Sequence, residues 1–393
     1  MNSDPAANQS PKRVPVFGTL LLAALAMAAV SVIWLLHSAR NYQETFNLTF
    51  AAQGTLSPVS QTSPDDPMPL YFWLLHGLAH VFSPSLVSLR IVSLICYLLL
   101  LPALYIAGKR ATGDRRIGLL AAILTALSPF MLWYGNRATV YALLTLVTVI
   151  SQYLFVCLLQ RKRWAWVPYL VVGLIGLGLH YFFAVILLAQ VLFYLVKQRE
   201  FSRRELVYML CCTVVFAAAF GLWMHYLADT VHIFAKLPYT AKPSATNAFI
   251  IYVQYLFGFQ AVSTTTFVIA FWPLLVVFAL LAVQKYVRPP IAIQYYSFTA
   301  FMPLLLVFAL SWIWRPLFLS SYFIVCLPSF MLLVSWYLVA FELRALSWAR
   351  TLLILLMVAM LAAELANVNR AVHEDYLGAQ TIRLRHSDRA SFG

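Results

Sequence analysis

The sequence predicts an all-α polytopic membrane protein with about 11 transmembrane helices. Three observations carry this. The chain has 393 residues, 63% hydrophobic and only 10% charged, with a mean hydropathy of +0.83. A soluble chain of that length could not keep so much apolar surface from water. Long uncharged runs recur, and they are continuous rather than alternating, which favours spanning helices over a β-barrel. The net charge of +14 arrives in short clusters between those runs. That is the positive-inside pattern, with anionic membrane lipids rather than nucleic acid as the partner.

In chain order, Val14 to Leu36 follows Lys12 and Arg13, is long enough to span, and lacks a small-residue cleavage site. It reads as an uncleaved first span after a cytoplasmic tail, residues 1–13. The transmembrane domain then runs over 14–368, with a first outer loop over 37–83. Further spans are centred near Leu98, Ile123, Val149, Val171, Ala189, Phe216, Leu275, Leu304, Met331 and Met357. Basic clusters at Lys109/Arg110/Arg115/Arg116, Arg161/Lys162/Arg163, Lys197/Arg199/Arg203/Arg204, Lys285/Arg288 and Arg344/Arg350 share one face. This places the N-terminus in the cytoplasm and the tail, 369–393, outside the cytoplasmic (inner) membrane. The run Trp164–Val196 is too long for one helix, so a break is predicted at His180-Tyr181, a tight outer turn after Gly176 and Gly178. The apolar pieces Leu70–Phe82, Phe130–Tyr134 and Ala248–Phe259 are too short to span. They are predicted to lie in the interface, with Trp73, Trp133, Tyr134 and Tyr252 at headgroup depth. All five cysteines lie in apolar runs and read as packing residues.

The stretch Asn41 to Arg90 holds most of the potential chemistry. It gathers Glu44, Asp65, Asp66 and Arg90 on the outer side of a chain that is otherwise poor in charge. No acid sits at the middle of a span, which argues against a proton relay or ion path. There is no phosphate-binding Gly-rich loop, so no nucleotide is implied. His76 and His80 are four apart, a spacing that can chelate a metal, but no third ligand accompanies them in sequence. No metal is therefore required, and a divalent cation is left open.

The order of several outer-face motifs resembles the GT-C membrane glycosyltransferases, in particular members related to protein O-mannosyltransferases and to the lipid A aminoarabinose transferase. The family's Trp-x-Asp-Glu corresponds to Tyr42-Gln43-Glu44, with an amide at the first acid. Its Asp-x-His-Pro-Pro-Leu-Tyr corresponds to Asp65-Asp66-Pro67-Met68-Pro69-Leu70-Tyr71, without the His. Leu89-Arg90 is intact. Its Tyr-Ser-Gln-Glu-Ala-Arg-Met-Tyr reads Tyr134-Gly135-Asn136-Arg137-Ala138-Thr139-Val140-Tyr141, so Arg137 stands where the family has Glu. Its Thr-His-Tyr is Leu179-His180-Tyr181. The later Pro-x-Phe-x-x-Arg-Tyr reads Pro316-Leu317-Phe318-Leu319-Ser320-Ser321-Tyr322, without the Arg. The resemblance spans Leu35 to about Arg383, and the extracytoplasmic domain of longer relatives is not expected here.

What the resemblance implies is a GT-C bundle that moves a sugar from a polyprenyl-phosphate-linked donor, with inversion, to an envelope lipid, glycan or protein at the outer face. A carboxylate must take the acceptor's proton, and Asp65, Asp66 and Glu44 are the candidates. A fixed guanidinium must meet the lipid phosphate, for which Arg90 and Arg137 are placed, with His180 and Tyr181 as further donors. Tyr71, Trp133 and Tyr134 suit sugar stacking. The alternative is a non-catalytic relative, marked by the changes at Gln43, Arg137 and Ser321, that binds polyprenyl-phosphate lipids or serves as a membrane partner in polysaccharide assembly.

Overall fold

The computed structural model describes residues 42–53, 69–83, 85–231, 242–258 and 289–342, with a few isolated positions outside them. All regular structure among the described residues is helical. Near the start come two short helices, α1 (Tyr42–Gln53) and α2 (Pro69–Val81). The bundle continues with α3 (Leu86–Thr112), α4 (Arg115–Ala126), α5 (Pro129–Gly135) and α6 (Tyr141–Leu159). Next are α7 (Trp166–Leu179), α8 (Phe183–Val196) and α9 (Arg203–Val231). The last three are α10 (Ala245–Phe257), α11 (Ile291–Ile313) and α12 (Leu327–Glu342).

Five described helical stretches are long and apolar enough to cross a membrane, or six if the bent pair α4–α5 counts as one. They are Leu86–Thr112, Tyr141–Leu159, Arg203–Tyr226, Ile291–Ile313 and Ser320–Ala340. The expected spans centred near Met27, Leu275 and Met357 lie outside the described residues. The long run Trp164–Val196 does break where expected, leaving α7 and α8 on either side of His180–Phe182. The turn is tight: a Cβ on Gly176 would sit 2.4 Å from the Phe183 ring. The three short apolar pieces form α2, α5 and α10.

Local signals set several boundaries. Ser85 caps α3 through a reciprocal box with Ser88. Gly113, at φ +78°, ends α3, and Asp114 immediately caps α4 by accepting from the Arg116 N–H. Ser128 caps α5 with Pro129 at its first position. The chain bends by 67° between α4 and α5, because the cap residues Leu127 and Ser128 interrupt the helical ladder there.

Helix α12 and the tight helical segment before it form the centre. Of the span Ser320–Ala340, 94% is buried, so its apolar character on every side is met by protein rather than lipid. It packs against α4 and α11. Helix α3 packs along α4 and α6, and α6 along α7. By contrast only 17% of the α9 span is buried, leaving Leu210, Val214 and Leu222 exposed. The short α1 and α2 pack on each other, joined by an edge-on contact of Phe46 with Phe72. Helix α2 in turn lies against α7, where Leu70 sits over Gly178.

Candidate active site

Helix α1 turns one face into the protein. Glu44, Asn47 and Ala51 follow a helical spacing of three and four, and all three are buried. The Glu44 carboxylate accepts two hydrogen bonds from Arg90, from Nε to Oε1 at 2.7 Å and from Nη2 to Oε2 at 2.8 Å. This is the bidentate fork geometry, the strongest form of an ion pair. Arg90 is 2% exposed and Glu44 0%, so neither charge faces open solvent.

The same helix also grips the corner between α5 and α6. The Ala138 N–H donates to Glu44 Oε1 at 3.0 Å, and Asn47 Nδ2 donates to the Ala138 carbonyl at 2.8 Å. Both backbone polar groups of one non-helical residue are thus satisfied from α1. Arg137, next in the chain to that anchored residue, is buried and stacks its guanidinium 4.1 Å from the centre of the Trp133 ring. Burial pushes the Glu44 carboxyl upward. The hydrogen bonds from Arg90 and Ala138 and the charges of Arg90 and Arg137 outweigh it and hold the group below its ordinary value of 4.5. Glu44 is therefore an ionised acceptor for one guanidinium and a backbone amide, with the charge of Arg137 nearby.

The corner carries further polar atoms. Asn47 Oδ1, Asn136 Oδ1 and Thr139 Oγ1 are buried without a hydrogen-bond partner in the protein. Buried acceptors of this kind are normally satisfied, so three around one corner mark a place for a polar ligand or water. None of the three was singled out from sequence. Asn47 was legible in part, because it lies one helical turn beyond Glu44.

A row of rings leads away from this corner. Tyr134 meets Tyr141 at 5.0 Å between centroids, Tyr141 meets His180 at 6.0 Å, and His180 stacks on Tyr181 at 4.7 Å. His180 is fully buried, and its Nδ1 accepts from the Phe182 N–H at 3.1 Å. Nδ1 is thereby unprotonated, and a neutral ring carries its proton on Nε2. The Tyr181 hydroxyl donates to the Tyr322 hydroxyl. Both tyrosines border an apolar cavity of approximately 470 Å³ between α8, α9 and α11, lined also by Phe182, Leu188, Met224 and Val307. The cavity and Tyr322 are additions that the motif reading did not single out.

The structure thus brings Glu44, Arg90 and Arg137 together with Trp133 on Arg137, and it joins Tyr134, His180 and Tyr181 to one another in the ring row that starts beside Trp133 in the chain. Tyr71 is buried in the α1–α2 layer beside Phe72, with ring centroids 5.9 Å apart. Asp65 and Asp66 lie outside the described residues. Among the described residues no three His, Cys, Asp or Glu side chains converge as a metal site.

The chain has the helical membrane fold of the GT-C glycosyltransferases, as the motif order implied. It is similar to the crystal structure of ArnT from Cupriavidus metallidurans in the apo state, with a TM-score of 0.59, 16% identity, and coverage of 86% of this chain and 62% of that one. ArnT from the same organism bound to undecaprenyl phosphate gives 0.57 at 15% identity, covering 91% of this chain and 74% of that one. The Archaeoglobus fulgidus oligosaccharyltransferase in the apo form gives 0.54 at 13% identity, covering 92% and 56%. This chain therefore spans less than two thirds of the length of two of these three structures. More particularly, residues 65–225 match the family described as dolichyl-phosphate-mannose-protein mannosyltransferase. No curated protein sequence matches.

Proposed function

We propose that this chain is a membrane glycosyltransferase that uses a polyprenyl-phosphate-linked sugar and transfers it, with inversion, to an envelope lipid, glycan or protein at the outer face. The observation that carries the reading is the corner at Arg137. A cation is fixed there over Trp133. A continuous row of rings joins it to an apolar cavity. A polyprenyl phosphate has the matching halves: an anion that wants a guanidinium and a hydrocarbon that wants an apolar trough. A structure with a similar fold was solved with undecaprenyl phosphate bound.

In this reading Arg137 holds the donor phosphate and stabilises the charge that develops as the glycosidic bond breaks. The Nε2–H of His180 supplies a further donor along the row, and the Tyr181 hydroxyl beside it is held by Tyr322. Arg90 acts through Glu44: two of its N–H groups are used to hold the α1 carboxylate that anchors Ala138. Glu44 is a poor base, because three donors and two positive neighbours resist its protonation. The proton of the acceptor hydroxyl then falls to Asp65 or Asp66, which fall between α1 and α2 in the sequence. Tyr71, Trp133 and Tyr134 offer aromatic faces for the sugar. No metal is required by these steps. The protein lies in the cytoplasmic membrane with its N-terminus inside.

The test is transfer of radiolabelled sugar from a polyprenyl-phosphate donor to cell-envelope acceptors by the purified full chain. Replacing Asp65 and Asp66 together by Asn should abolish it, and unchanged turnover removes them from the mechanism. The departures at Gln43, Arg137 and Ser321 favour a second reading as a non-catalytic lipid-binding relative. Binding of the lipid-linked sugar with no label transferred by the unsubstituted chain selects that reading.

A further inference from the structure

His76 and His80 stand on successive turns of α2. His76 is half-buried and His80 exposed. Their Nε2 atoms are 3.0 Å apart, and the rings meet at 4.5 Å between centroids with an angle of 75° between planes. Two imidazole nitrogens at this separation face a common point. Either they share one proton, or a metal ion takes the proton's place and each ring keeps its own proton on Nδ1.

We propose that His76 and His80 form a two-imidazole site for a copper(II)-class divalent transition-metal ion. The bite distance is compatible with the class. With metal–nitrogen bonds of about 2.05 Å, nitrogens 3.0 Å apart subtend roughly 94° at the metal. That is close to the right angle between neighbouring ligands of a tetragonal ion such as copper(II) or nickel(II), and short of the tetrahedral angle that zinc prefers. Copper(II) also heads the affinity order for nitrogen ligands. The helix supplies the alignment, since residues four apart lie on one face and little side-chain freedom is lost on binding. With no third His, Cys, Asp or Glu converging among the described residues, the remaining positions are left to water or to an external anion.

Electron paramagnetic resonance of the full chain in detergent, stripped of metal and then titrated with copper(II), tests this. The wild type should bind one more copper than either His76→Asn or His80→Asn, with a spectrum showing two coupled nitrogens. Both variants should elute and melt like the metal-free wild type, which separates loss of a ligand from loss of fold. Equal stoichiometry and identical spectra in wild type and variants would mean that the pair shares only a proton, and would overturn the proposal.

Discussion

Glu44 looks in sequence like one acid among three in a polar loop, and its neighbours decide its role. Buried with Arg90, it is worth most as half of a pair. Glu44→Gln leaves a buried guanidinium without its counter-charge, which should cost about 3–5 kcal/mol and lower the melting temperature in detergent. Glu44→Gln combined with Arg90→Met should recover part of that loss, because the stranded charge is gone. The pair also sets a pH dependence. The Glu44 carboxyl is held below 4.5 in the fold, so its contribution is fully present above that value. It is lost as pH falls through the lower folded-state value. The stability gap between wild type and Glu44→Gln should therefore narrow below about pH 4.5, read from thermal unfolding at stepped pH. The acid and the arginine were both legible as site candidates from their motif context. Their partnership with Ala138 was not, because 94 residues separate Glu44 from that amide and no local pattern encodes the contact.

Helices α3 and α4 show how small residues set an element's position. A Cβ on Gly118 would lie 2.4 Å from the Tyr105 carbonyl oxygen, and one on Gly108 would lie 2.7 Å from the Gly118 Cα. The two backbones touch at this point, directly after the turn at Gly113. Gly118→Ala forces them apart, and the overpacking should cost about 1–3 kcal/mol with a matching fall in melting temperature. Gly77→Ala is the control: a Cβ there meets nothing within 4 Å, and helix propensity favours the change. The break at His180 was legible because the apolar run was too long for one span and carried Gly176 and Gly178 beside polar residues. The α5 piece was legible by its length. The 67° size of the bend that aims it was not, because a cap signal marks where a helix stops and not the angle at which the next one leaves.

Across the whole molecule, hydropathy identified membrane helices without saying which of them face lipid. The central span Ser320–Ala340 and the peripheral α9 are similarly apolar, yet 94% of one and 17% of the other is buried. Lipid and protein interior are both apolar, so composition alone does not separate them. The cavity was hidden for the same reason: its walls come from three helices whose residues read as ordinary span. Filling it should matter if hydrocarbon occupies it. Leu188→Trp should weaken uptake of polyprenyl phosphate while leaving the Glu44–Arg90 pair intact. The most direct measurement is binding of undecaprenyl phosphate to the purified full chain, comparing wild type with Arg137→Ala and Arg137→Lys. The account predicts saturable binding that falls at least tenfold with Ala, a loss of about 1.4 kcal/mol or more, and less with Lys, which keeps the charge but loses the planar stack on Trp133. Equal affinity in all three proteins would contradict it.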